Sequence, residues 1–205
     1  MVLRKEGENE LERFRVIKSK ATPLGMANID TDQIIPKQFL KLVQKTGFGK
    51  YLFYDWRFNK DGNLNSKFIL NNPKYVGRRI LLTRDNFGSG SSREHAVWAL
   101  QDYGFKAIIA RSFADIFYSN CFKNGLLPIS LNQKEIEYLF IHPDEEVEVN
   151  LSKQQVIIDS KIIVFEINES RKTALVEGLD DIGITLRFEL QIAEYESKNN
   201  LYTLL

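Results

Sequence analysis

Cysteine occurs once in these 205 residues, at Cys121, and histidine twice. One thiol excludes an internal disulfide framework, and one thiol with two imidazoles cannot furnish the four ligands of a structural zinc site from cysteine and histidine alone. Any metal is expected to come with another chain. A surplus of charge is also missing: 28 basic against 27 acidic side chains leave a formal net charge of +1, so no general field draws nucleic acid or an anionic membrane surface. No apolar run approaches the ~20 residues needed to span a bilayer. The opening MVLRKEGENELE is charged and lacks the apolar centre of a signal peptide, so the chain reads as cytoplasmic. Cys121 falls in a helical pattern with nothing nearby to activate it, and a buried, inert thiol is expected.

What is present centres on Asn86 to Leu100, NFGSGSSREHAVWAL. Ile80 to Thr83 reads as a buried strand, and Gly88 and Gly90 supply the positive-φ or close-approach positions of a sharp turn. Ser91 with Glu94 has the S-x-x-E spacing of a capping box, which predicts Ser91 as N-cap of a helix ended by Gly104. Ala96, Val97, Ala99 and Leu100 give that helix its apolar face. Ser91 alone reads as a cap. Two serines and Arg93 at a helix N-terminus behind a glycine loop also make a seat for a carboxylate or phosphate, because free N–H groups and the helix dipole favour an anion there. The stretch is not a Walker loop, since no Gly-Lys-Ser/Thr ending is present, and Arg93 occupies the third glycine position of G-x-G-x-x-G.

Elsewhere, 43% apolar and 12% aromatic residues suit one globular domain over residues 1–205, with 1–12 a flexible arm. Phe14 to Lys18 alternates as a first strand. The segment PLGMANIDTDQIIP has no period; Asp30 and Asp32 either stitch a loop, cap a helix or belong to a site. A helix is expected from Pro36, with Phe39, Leu40 and Val43 on one face. The aromatic run Gly47 to Phe58 reads as packed core or a subunit interface, the interface being favoured. Phe105 to Ala110 and Leu126 to Ser130 are expected strands on either side of a helix started by Ser112 and Asp115. A helix with Ile136, Leu139 and Phe140 inward precedes three period-two segments, EEVEVNL, QQVIID and KIIVFEI, expected as antiparallel strands. A helix stopped by Gly178 and one closing helix complete an α/β pattern.

GSSREH after a strand, with DTDQIIP before it and SFADIFYSNCFKNGLLPI after it, resembles the small subunits of the 3-isopropylmalate dehydratases, in the aconitase superfamily. The resemblance runs from about Phe14 to Lys198. It implies a swivelling β/β/α domain, with a mixed, barrel-like sheet and flanking helices, that covers an active site carried mostly by a separate large subunit. It implies Ser91 as catalytic base, Ser92 and Arg93 as holders of substrate carboxylate, and Asp32 beside the substrate, with Glu94 and His95 as scaffold. Where aconitases carry a serine after the matched aspartate this chain has Ile35, and FLKLVQ stands where they place an arginine. A branched alkyl substituent would suit Ile35, Phe39, Leu40 or Leu42.

In the reaction that the resemblance implies, water is removed from 2-isopropylmalate and re-added to give 3-isopropylmalate. The [4Fe-4S] cluster of that family requires several thiolates, which one cysteine cannot supply, so it is expected on the large subunit. Small subunits of homoaconitase or methylmalate dehydratase share the fold and stay open as alternatives, as does a non-catalytic dicarboxylate-binding module. The purified chain alone is expected to be colourless, free of stoichiometric iron and inactive as a dehydratase until a large subunit is added. Cluster absorbance surviving purification of the lone chain would overturn this.

Overall fold

The structure, a computed structural model, describes residues 11–41 and 46–198. Seven strands form one mixed sheet in the order β4-β3-β2-β1-β5-β6-β7, curved as a half-barrel. They are β1 (Ile17–Pro23), β2 (Ile80–Leu82), β3 (Ala107–Ala110), β4 (Leu127–Ser130), β5 (Glu146–Asn150), β6 (Gln155–Ile158) and β7 (Lys161–Val164). β1 belongs to both halves. Its later residues, Ala21 to Pro23, pair parallel with β2, while Ile17 to Lys20 pair antiparallel with β5. β2, β3 and β4 continue the parallel half, and β5, β6 and β7 form the antiparallel meander expected from their period of two.

β2 and β3 are buried along their whole length. Successive side chains of a strand point to opposite faces, so each strand feeds two cores. Ile80, Leu82, Ala107 and Ile109 join a core completed by the meander's Val147, Val149, Val156 and Ile158 and by Ile136 and Leu139. Leu81, Ile108 and Ala110 join the other, with Ala96, Val97, Leu100, Phe117 and Cys121.

Eight helices lie among the described residues: α1 (Thr31–Ile34), α2 (Tyr54–Arg57), α3 (Glu94–Tyr103), α4 (Asp115–Lys123), α5 (Gln133–Ile141), α6 (Glu169–Glu177), α7 (Asp181–Leu186) and α8 (Glu189–Lys198). Gly104 ends α3 in the left-handed region at φ 116°, as expected. Gly178 likewise ends α6 at φ 72°. α5 carries a true capping box: Asn132 Oδ1 accepts from Glu135 N at 3.1 Å and Glu135 Oε2 accepts from Asn132 N at 3.0 Å.

Several expectations are corrected. The first strand begins at Ile17 rather than Phe14, because the Phe14 N–H is taken by the Leu175 carbonyl of α6 at 2.8 Å. Leu11 and Glu12 do not belong to a free arm: Leu11 N donates to Gly178 O at 3.0 Å and Glu12 pairs with Lys106; residues 1–10 lie outside the described residues. After Pro36 there is a single 3-10 turn, Lys37–Phe39, in place of the expected helix; Leu42 and Val43 fall outside the described residues. The closing helix is two, α7 and α8, and α8 buries none of its side chains.

The strand-to-helix turn depends on Gly88, which sits at φ +78° with Phe117 packed against it. A Cβ there would lie 2.1 Å from Phe117 Cγ and 2.5 Å from its Cδ1, and Phe117 is 2% exposed with little room to retreat. Left-handed strain of about 1–2 kcal/mol then adds to overpacking of about 1–3 kcal/mol. Gly88→Ala is expected to lower the unfolding free energy by about 2–5 kcal/mol in a denaturant titration. Gly62→Ala, at φ +83° with nothing within 4 Å, should cost only the strain.

Candidate active site

The loops that leave β1, β2 and β3 meet beyond the carboxyl ends of these parallel strands, the usual place for a ligand on an open α/β sheet. Backbone bonds join them. Asn28 N donates to Asp85 O at 2.8 Å, Gly88 N to Ile29 O at 2.7 Å, and Thr31 N to Ser89 O at 2.8 Å. Phe87 N donates to Ser112 O and Ala114 N to Phe87 O, each at 3.0 Å, which ties in the loop after β3. Thr31 is buried, and its Oγ1 donates to Ser91 O at 3.0 Å. Gly90, at φ +92°, would bring a Cβ within 3.4 Å of that same Oγ1.

This stitching delays the helix. α3 starts at Glu94, with Arg93 as an N-cap that makes no side-chain capping bond, so the expected capping role of Ser91 is not realised. Ser91 and Ser92 are exposed, and the side-chain contact that the Ser91 hydroxyl makes among the described residues is a long one, accepting from Arg93 Nη2 at 3.4 Å. Ser112 is diverted in the same way: its Oγ accepts from Asn86 N at 2.9 Å, and α4 begins behind Ala114 without a side-chain cap.

The three polar residues of DTD have separate tasks. Asp30 is the N-cap of α1, accepting from Gln33 N at 2.7 Å while Gln33 Oε1 accepts from Asp30 N at 2.9 Å. Thr31 clamps the serine loop. Asp32 faces Arg93: Nη1 donates to Oδ1 at 2.5 Å and Nη2 to Oδ2 at 3.1 Å, a bidentate fork. Lys37 Nζ lies 3.7 Å from Asp32 Oδ2. The Arg93 hydrogen bond, above all, holds the Asp32 carboxyl below the usual carboxylate range; partial burial opposes it and Lys37 adds to it. The Arg93 side chain is only 9% exposed, against 44% for Asp32.

Ser91, Arg93 and Asp32 are thus brought together, with Ser92 adjacent in the chain. Ile35 is not with them: it is fully buried in the second core, and turning it out to line a pocket would forfeit about 1.5–3 kcal/mol of burial. Phe39 and Leu40 are half-buried, Phe39 stacking on Tyr51 with ring centroids 4.0 Å apart. His95 packs edge-on against Phe48 at 5.2 Å, and burial pushes its pKa down, which fits scaffold. In the Gly47–Phe58 run, Phe48, Leu52 and Phe53 are core. Lys37 was missed by sequence reasoning, and nothing local marked it.

Cys121 is fully buried in the second core, burial pushes its thiol up, and as the only cysteine of the sequence it cannot supply the several thiolates that an iron–sulfur cluster takes. Among the described residues no three His, Cys, Asp or Glu side chains cluster closely enough to hold a metal ion. No helix among them is long and apolar enough to cross a membrane.

The half-barrel α/β fold, with its glycine turn beyond the parallel strands, is that of an aconitase-type domain. Residues 11–134 match the model of the aconitase C-terminal domain. The small subunit of 3-isopropylmalate dehydratase from Lactococcus lactis is 53% identical over 190 residues, covering 92% of this chain and 100% of that one. That of Leptospira interrogans is 52% identical over 195 residues, covering 92% and 95%. A crystal structure of 3-isopropylmalate dehydratase from Methanocaldococcus jannaschii matches with a TM-score of 0.66 at 32% identity, over 88% of this chain and 99% of that one. The chain therefore belongs to the aconitase C-terminal domain family, in the line of the 3-isopropylmalate dehydratase small subunits.

A carboxylate whose pKa is lower in the folded chain than in the unfolded one contributes stability above its unfolded pKa and loses it as pH falls through the folded value. Asp32→Asn is therefore expected to melt below the wild type at pH 7, and the gap should close as pH drops through and below about 3.9, the unperturbed value. A gap that persists unchanged at about pH 2 would show that the carboxylate charge is not its source.

Proposed function

We propose that the chain is the small subunit of a cytoplasmic 3-isopropylmalate dehydratase in leucine biosynthesis. It would act on 2-isopropylmalate, a small malate-type acid, through 2-isopropylmaleate, and only with a large subunit. One observation carries the reading: an uncapped serine hydroxyl beside an arginine fork that already holds a carboxylate, in a chain that matches named dehydratase subunits over nearly its whole length. Since one cysteine cannot hold a cluster, the [4Fe-4S] centre is assigned to the large subunit.

The reaction removes a proton from a carbon next to a carboxylate. Arg93, with Ser92 beside it, binds and orients that carboxylate, and Ser91 Oγ takes the proton. A hydroxyl as hard to ionise as water loses its proton only far above neutrality, at a cost of about 12 kcal/mol near pH 7. A helix end contributes about 0.3–2 kcal/mol, and a cation some 4 Å away on the order of 4 kcal/mol at an effective dielectric of 20. These fall short together. The remainder comes from closing the loop against the large subunit, where water is excluded and fixed dipoles face the developing charge. With Ile35 inside the core, Phe39 and Leu40 are the candidates for contacting the alkyl group.

Ser91→Ala in the reconstituted two-subunit enzyme is expected to reduce turnover of 2-isopropylmalate at least about 100-fold. Its unfolding free energy should move by less than about 0.5 kcal/mol, since an exposed side chain with no capping bond is removed. Arg93→Lys should also be damaging, an ammonium being unable to reproduce the fork. Wild-type turnover by Ser91→Ala would take the base assignment away from Ser91.

A further inference from the structure

Arg93 poses a difficulty for any acid that must reach it. Both ends of its fork donate to Asp32, with a longer contact from Nη2 to Ser91 Oγ at 3.4 Å, and its side chain is 9% exposed, so a carboxylate that takes the bidentate fork must displace Asp32. Asp32 itself is not tied into the cap of its helix. Its side chain is 44% exposed, and the cap of α1 rests on Asp30 and Gln33 rather than on Asp32. Its Oδ2 already lies between two cations, 3.1 Å from Arg93 Nη2 and 3.7 Å from Lys37 Nζ. The Lys37 side chain is 72% exposed on the turn after Pro36.

We infer that Asp32 is an internal stand-in for the substrate carboxylate, closing the Arg93 fork in the isolated chain, and that Lys37 is the cation that receives it when the acid enters. The inference rests on the reading of this loop as the substrate seat. A handover keeps every charge paired: the planar substrate carboxylate takes the bidentate fork, and Asp32 moves to an ammonium that acts as a point charge with no fixed geometry. Without Lys37, a displaced Asp32 would lose the second cation that it faces among the described residues, and the acid would bind more weakly. Lys37 is then a positioning residue, acting through Asp32 and touching no substrate atom.

The test is a double-mutant cycle in the two-subunit enzyme, with KM and kcat for 2-isopropylmalate measured separately. Lys37→Met is expected to raise KM roughly two- to fivefold, the range of an exposed ion pair, with kcat changing less than about twofold. Lys37→Arg should restore KM. In an Asp32→Asn background, Lys37→Met should raise KM no further. Where Asp32→Asn turns over too slowly, calorimetric binding of 2-isopropylmalate to the same complexes supplies the comparison. An unchanged KM in Lys37→Met, or an equal rise with and without Asp32, overturns the handover and leaves the dehydratase reading standing. A wild-type complex that binds 2-isopropylmalate without converting it would instead overturn the reading of function.

Discussion

The parallel pairing of β1 with β2 is the constraint on which the site depends. Ala21, Thr22 and Pro23 run beside Ile80, Leu81 and Leu82, so two loops from distant parts of the sequence emerge side by side and in the same direction. Asp32 and Arg93 are 61 residues apart in the chain and meet because those strands do. The burial of β2 and β3 on both faces fixes this arrangement more firmly than the ion pair, because each fully buried Ile or Leu contributes about 1.5–3 kcal/mol, whereas the attraction within a partly buried ion pair is offset by the desolvation of its charges. The polar chemistry sits on an apolar platform.

Much of that platform was legible in the residues. Period two marked the meander, continuous apolar runs marked β3 and β4, and glycines marked the ends of α3 and α6. What escaped was whatever depends on contacts across the sheet. Ser91 and Ser112 both satisfy the local S-x-x-acid pattern, yet the carbonyl of Ser91 is claimed by Thr31 and the hydroxyl of Ser112 by Asn86, so neither serine caps its helix. Asn132 and Glu135, with no such long-range claim, form the box that the same rule describes. A local rule holds only until a distant partner competes for the same atom.

The resemblance grouped Ser91, Ser92, Arg93 and Asp32 before any geometry did, but it did not say that Asp32 would occupy the arginine. Nor did hydropathy tell an apolar residue facing a pocket from one facing the core: Ile35 follows the turn of α1 inward, while Phe39, four residues on and past Pro36, stays half-buried on Tyr51. The proposed seat exposes little cation because Asp32 closes the Arg93 fork. Its positive charge is covered from within.

The double membership of β1 has a consequence in time as well as in space. Its parallel partner follows it by about 60 residues, but its antiparallel partner is far later: Lys18 faces Glu148. As the chain leaves the ribosome, the loops of the site can form once β3 and its flanking helices are out, while the Ile17–Lys20 edge still lacks its neighbour. An unpaired edge of that kind invites pairing with a foreign strand. The meander, which lies on the opposite side of β1 from β2 and the loop that carries Ser91, therefore works as the late cover of an early-made sheet, and a nascent chain stalled before Glu146 would hold the makings of its candidate site on an adhesive scaffold.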